Sequence, residues 1–260
     1  MNLLIDIHCH LDHPLFEDKT DGIINNAKKS GLKIILTAGI NPETNRKTLQ
    51  LAEKYGIVKA ALGIYPIKTL QKEIEIGGYS LKPNIFDIDE EIEFIEKNKN
   101  RIKAVGECGL DYSQGEDPKE QKELFEKLIS LAEKIKKPMI IHSRKAELDC
   151  VEILETSKLK KIIMHCFSGK KYLVKRINDN GWYLTISTSV VRSQQFQFIA
   201  DYVPITQLFC ETDAPYLSPF KEKRNEPAFV IEAYKKIAEI KKMDLNEVIN
   251  NIWMNWQRVF

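Results

Sequence analysis

Short apolar runs recur along the whole chain, most of them separated from the next by an amphipathic stretch. The first is Leu3-Leu4-Ile5-Asp6-Ile7-His8. It is followed by Lys33 to Ala38, Val58 to Leu62, Ile102 to Glu107, Pro138 to His142, Lys161 to His165, Tyr183 to Ser187 and Gln207 to Asp213. Their lengths and flanks predict buried strands. Between them, apolar positions three and four apart predict helices over Asp21 to Ser30, Pro42 to Tyr55, Asp87 to Glu96, Pro118 to Lys136, Glu147 to Thr156 and Lys171 to Asn180. Two more close the chain, Phe229 to Lys241 and Leu245 to Gln257. Pro42 is a helix-start signal and Gly56 a stop. Residues 67–86, with Gly77-Gly78 and Lys82-Pro83, read as a loop insertion.

Alternation of this kind implies parallel strands joined by crossover helices. An open doubly wound sheet and a closed (β/α)8 barrel both satisfy it. Eight predicted strands favour the barrel, and so do polar residues that follow several strands at the same end. The first strand is not followed by the Gly-rich fingerprint of an open dinucleotide-binding sheet. With no linker or low-complexity tract, the expectation is α/β: one (β/α)8 TIM-barrel domain over residues 1–260 of the metallo-dependent hydrolase type.

Composition narrows the classes of function. Of 260 residues, 43% are hydrophobic and the net charge is +2, which suits a large core and argues against holding nucleic acid by bulk charge. No apolar run approaches the ~20 residues that span a bilayer, and the N-terminus lacks the basic region of a signal peptide. Five scattered cysteines make neither a disulfide framework nor a CxxC zinc site. A cytoplasmic protein is expected, as a monomer or weak oligomer.

The chemistry gathers at strand ends. His8 and His10 are two apart on an extended strand and so share a face, with Cys9 on the other. Glu107, His142, His165 and Asp213 each end a later strand, at intervals that fit whole βα units of roughly 30 residues. Strands one, four, five, six and eight would thus carry six ligand groups to one rim. One catalytic zinc keeps three protein ligands and an open position, so six groups suggest two ions bridged by Glu107. His8, His10 and Asp213 are assigned to one ion, and His142 and His165 to the other. Zinc, manganese or magnesium are the candidate divalent cations. Glu107 and Asp213 are the catalytic carboxylates, Asp213 also being placed to take the proton of a metal-activated water. Cys9, Cys108 and Cys166 adjoin proposed ligands, and strand alternation is expected to turn them away as small buried residues.

The motifs carrying these groups are Asp6-Ile7-His8-Cys9-His10-Leu11, Gly106-Glu107-Cys108-Gly109-Leu110-Asp111-Tyr112, His142-Ser143-Arg144, His165-Cys166-Phe167-Ser168-Gly169 and Glu211-Thr212-Asp213-Ala214-Pro215-Tyr216-Leu217. Together they resemble the TatD family of metal-dependent deoxyribonucleases, among the amidohydrolase-like barrels. The resemblance runs the length of the chain. It implies the same six metal ligands and a divalent-metal phosphodiesterase acting on DNA, often from the 3′ end. Where the family commonly has Gly-x-His-Pro after the third strand, this chain has Gly63-Ile64-Tyr65-Pro66. Tyr65, Arg144, Glu211 and Arg192 are the expected substrate contacts, Arg144 because a guanidinium suits phosphate; Glu211, two residues before Asp213 and on its face, can equally orient a ligand or water or belong to a buried polar network. Two other classes stay open at this stage. One is a hydrolase of a small amide, lactone or phosphoester on the same ligand set; the other is a non-catalytic metal or nucleic-acid binding module.

Overall fold

The structure is a computed structural model, and it describes residues 3–75, 86–114 and 118–260. Eight parallel strands stand in sequence order around a nearly closed barrel: β1 (Leu4–Cys9), β2 (Leu32–Gly39), β3 (Val58–Leu62), β4 (Ile102–Gly109), β5 (Met139–His142), β6 (Ile162–Met164), β7 (Tyr183–Ser187) and β8 (Leu208–Glu211). The described helices are α1 (Thr20–Lys29), α2 (Pro42–Lys54), α3 (Ile67–Glu75), α4 (Ile88–Lys97), α5 (Pro118–Ile135), α6 (Glu147–Thr156), α7 (Lys171–Asp179), α8 (Gln194–Tyr202), α9 (Ile231–Lys241) and α10 (Leu245–Val259).

Strands and helices form where the pattern asks for them. Nearly every residue of β1 to β8 is buried, as befits parallel strands covered on both faces. Helix α2 starts at a capping box in which Asn41 and Thr44 satisfy each other's backbone N–H groups, with Pro42 in the first turn. Helix α5 buries Gln121, Leu124, Phe125, Leu128, Ile129, Leu131, Ala132 and Ile135, an apolar stripe at helical spacing. Each fully buried Leu, Ile or Phe contributes about 1.5–3 kcal/mol relative to exposure. No helix among the described residues is long and apolar enough to cross a membrane.

The seam between β8 and β1 is closed by side chains as well as backbone. Seven neighbouring pairs make parallel ladders. At the seam, the buried Asp6 carboxylate accepts from Thr212 N at 2.9 Å and Thr212 Oγ1 at 2.5 Å. The Tyr234 hydroxyl, fully buried, accepts from Ile5 N and donates to Ile5 O. Asn255 donates to the Leu208 carbonyl at 2.9 Å. Backbone bonds resume just past the strand ends, from Asp213 N to His8 O and from His10 N to Ala214 O.

Two segments differ from the sequence expectation. Residues 67–75 are helix α3, whereas a loop was expected. Leu70 is buried, Thr69 donates to the Asp111 carbonyl, and Lys72 donates to the Gln114 carbonyl. Packing against the loop after β4 thus adds to an amphipathic pattern that the glycines and proline just beyond it obscured in the sequence. The rest of the expected insertion up to residue 85 lies outside the described residues. Helix α8 was not expected at all, because Gln194, Gln195 and Gln197 dilute its apolar face; Ser193 caps it and Phe196, Ile199 and Ala200 are buried.

Candidate metal centre

His8 lies within β1 and His10 one residue past it; Glu107 is in β4, His142 ends β5, His165 directly follows β6, and Asp213 comes two residues after β8. The pairing of β1 with β2 shifts register between Asp6 and Cys9, and that of β4 with β5 between Val105 and Cys108. Irregular pairing re-aims side chains, and here it brackets His8 and Glu107. The mouth is tightly packed at backbone level. A Cβ at Gly63 would lie 2.2 Å from the Glu107 carbonyl oxygen. A Cβ at Gly109, where φ is +146°, would lie 2.0 Å from the His142 carbonyl oxygen. Asp213 itself holds a left-handed backbone, φ +55°, which its short polar side chain tolerates.

These folds of the chain bring all six side chains together. Glu107 divides its carboxylate: Oε2 is 3.4 Å from both His8 Nε2 and His10 Nε2, while Oε1 is 2.9 Å from His142 Nδ1 and 3.9 Å from His165 Nε2. Asp213 Oδ1 stands 3.6 Å from His8 Nε2, 3.5 Å from His10 Nε2 and 3.9 Å from His165 Nε2. Donor atoms of His8, His10 and Asp213 cluster within 4.8 Å of one another, as do those of His8, Glu107 and His165. Imidazole nitrogens and carboxylate oxygens converging in this way suit a divalent cation of the zinc, manganese or iron type.

Electrostatics follow from that crowding. Burial opposes charge on every group, but the facing partners decide most of them. Burial is outweighed at His10 by the hydrogen bond to Asp213 and the Glu107 charge, so its pKa rises to about 10. His142 is raised to about 9 against its burial by Asp111 and Glu107, and His165 to about 9 against its burial by Glu211. Burial and the charge on His165 push His8 down. Glu107, despite burial, is held well below the usual carboxylate range by His142 and His8, and Asp213 is lowered against its burial by His10.

Behind the cluster stand groups that hold its imidazoles. Glu211, fully buried, meets His165 Nδ1 at 2.9 Å and accepts from Thr185 Oγ1 and Cys166 N. Of the roles the sequence offers it, substrate contact or orienting a ligand within a buried polar network, its place is the second. Asp111 Oδ2 is 2.9 Å from His142 Nε2. Tyr65 donates its hydroxyl to the same Asp111 oxygen at 2.8 Å while its ring walls the cavity. In the sequence, Asp111, four residues after Glu107, suits an approach to the site from the fourth loop and a plain turn equally.

A cavity of about 660 Å³ opens over the cluster. His10, Glu107, His142, His165 and Asp213 form part of its lining, Arg144, Ser143 and Gln114 add polar groups, and Ile40, Phe196 and Leu217 make an apolar side. Arg144 thus lies where it was expected, whereas Arg192 is exposed and donates to the Ser218 carbonyl, away from the lining. Of the cysteines, Cys9 and Cys108 are buried with their sulfurs toward strand carbonyls. Cys166 departs from the expected alternation: it lies past the end of β6 with φ +43°, lines the cavity, and brings its sulfur near His165 and Asp213.

Comparison with known proteins agrees with this architecture. The family model described as TatD related DNase matches residues 5–260. Human deoxyribonuclease TATDN3 is 32% identical, over 99% of this chain and 94% of its own. A metal-dependent hydrolase of Methanocaldococcus jannaschii, itself termed uncharacterized, is 35% identical over 98% of this chain and 96% of its own. The TatD homologue YJJV of Escherichia coli superposes with a TM-score of 0.85 at 25% identity, covering 99% of this chain and 97% of that one. By this full-length match, and as a metal-dependent hydrolase, the chain belongs to the TatD related DNase family.

Proposed function

We propose that the chain hydrolyses phosphodiester bonds of DNA, trimming strands from the 3′ end, with two divalent cations in the mouth of the barrel. The observation that carries this reading is Glu107, whose two oxygens face different pairs of imidazoles within one cluster. On this reading His8, His10 and Asp213 hold one cation, His142 and His165 the other, and Glu107 bridges them. When bound, such a pair lowers the pKa of a water and offsets charge on both oxygens of an in-line displacement. Zinc, manganese or magnesium is the proposed metal.

The chain's own residues supply the rest. Asp213 has the more exposed of the two carboxylates, 14% against 5% for Glu107, and takes the proton of the attacking water. Arg144 meets the phosphate from the cavity wall. Tyr65 shapes the pocket beside His142. A concavity in the size range of single-ligand pockets suits a strand end better than a continuous duplex. Five free cysteines suit a reducing compartment, so the cytoplasm is the proposed location.

The apolar side formed by Ile40, Phe196 and Leu217 favours one alternative, a small amide, lactone or phosphoester as substrate. Single-stranded DNA labelled at either end, assayed across a metal series, separates the readings. Release of the 3′ label first, stopped by a chelator and by Glu107→Ala, is the expected result. Cleavage by metal-free protein at an undiminished rate would overturn the mechanism. Turnover of a lactone with no action on oligonucleotides would favour the alternative.

A further inference from the structure

Behind His142 lies a polar layer that metal ligation alone does not explain. Asp111 is held from every side. Its Oδ1 accepts from Ser113 N at 2.8 Å, and its Oδ2 accepts from Tyr65 at 2.8 Å. Gln121 brackets its backbone, accepting from Asp111 N and donating to Asp111 O, both at 2.7 Å, and Thr69 of α3 donates to the same carbonyl. The carboxylate so fixed is fully buried and reaches Nε2 of His142 at 2.9 Å. The other ring nitrogen, Nδ1, faces Glu107 at 2.9 Å.

We propose that Asp111, braced by Tyr65, is the positioning group that keeps the His142 proton on Nε2 and so presents the Nδ1 lone pair to a cation. Both ring nitrogens of His142 face a carboxylate oxygen at 2.9 Å, and an ionised carboxylate only accepts hydrogen bonds, so a cation arriving on the Glu107 side takes the place of the Nδ1 proton while Nε2, against Asp111, goes on donating. A neutral imidazole has one donor and one acceptor, so a donor at Nε2 makes Nδ1 the ligating atom. Tyr65 and Ser113 matter because they hold the carboxylate still; the Tyr65 hydroxyl oxygen also stands 3.1 Å from His142 Nε2, where it can share that donor, and it ties the third strand's exit loop to the His142 side of the mouth. Outer partners of this kind fix ring orientation and raise ligand basicity. The inference rests on the proposed role of His142 as a ligand, and the arms of the test keep the two apart.

The test uses the whole chain loaded with zinc, which is diamagnetic. Titration calorimetry and metal analysis after dialysis give the number and affinity of bound ions for wild type, His142→Ala, Asp111→Asn and Tyr65→Phe. Long-range 1H–15N spectra report which ring nitrogen of His142 carries the proton. If His142→Ala holds as many ions as wild type, the ligand role itself is wrong. If it loses one, Asp111→Asn is expected to hold that same ion about 10–100-fold more weakly and the other unchanged. Asparagine offers one acceptor oxygen where the carboxylate meets donors from Ser113, Tyr65 and His142, so either orientation weakens the hold. Tyr65→Phe is expected to show a smaller loss in the same direction. The wild-type spectrum is expected to show a slowly exchanging proton on Nε2, and Asp111→Asn a rapidly exchanging one. A proton on Nδ1 in wild type, or unchanged ion affinity in Asp111→Asn, would overturn the proposal. Should Asp111→Asn fail to fold, the wild-type spectrum and Tyr65→Phe decide alone.

Discussion

Protons and cations compete for the same nitrogens in this mouth. Against their burial, the carboxylates that face them raise the pKa of His10, His142 and His165 to about 10, 9 and 9, so these imidazoles hold protons at neutral pH. A cation must displace those protons, so uptake at neutral pH releases them and affinity falls as pH is lowered. Calorimetry in two buffers of different ionisation enthalpy, repeated at pH 6 and 8, is expected to show proton release and weaker binding at the lower pH. No proton release would mean that the bound ion does not use these imidazoles. At this scale the residues that carry chemistry in the sequence were also those that converge in space. His and carboxylate are rare at strand ends, where apolar residues are the rule, and so they stood out. Glu211, two residues before Asp213 and on its face, could be read as a group that orients a ligand, but Asp111 did not stand out from a plain turn. A carboxylate in a loop is ordinary, and only its neighbours in space reveal what it holds.

Strand geometry, at the scale of elements, decides whether the side chains can meet. Gly63 sits where β3 ends, and an added methyl would collide with the Glu107 carbonyl. Gly63→Ala is expected to cost about 1–3 kcal/mol by overpacking, read from urea denaturation, and also to lower the amount of retained metal, since the strand carrying Glu107 must shift. Unchanged metal content at reduced stability would show that β4 yields without moving its carboxylate. The strands were legible because buried parallel strands are nearly continuous apolar runs. Helices α3 and α8 were not. Helix α3 is amphipathic, and the glycines and proline just beyond it hid that pattern; α8 carries glutamines in its first turns, which dilute its periodic contrast, and tertiary packing settles its form.

Considered whole, the barrel separates a reactive end from a structural one. Barrels carry chemistry at the C-terminal rim and stability at the opposite face. Tyr234 closes the β8–β1 seam at Ile5, away from the rim. Tyr234→Phe leaves two buried backbone groups of Ile5 without that partner, and about 1–3 kcal/mol of stability should be lost with metal content unchanged; Glu107→Ala should do the reverse. Parallel loss of both properties in Tyr234→Phe would show that seam and site are coupled. The sequence alone determined the alternation of buried strands and covering helices, the barrel class and the six strand-end side chains, because burial and periodicity are written residue by residue. Tertiary structure alone decided which oxygen of Glu107 meets which histidine, that Asp111 and Glu211 stand behind the imidazoles, that Arg192 turns away, and that side chains close the last seam. Those outcomes depend on distances between segments far apart in the chain, which strand twist, register irregularities and close packing set together.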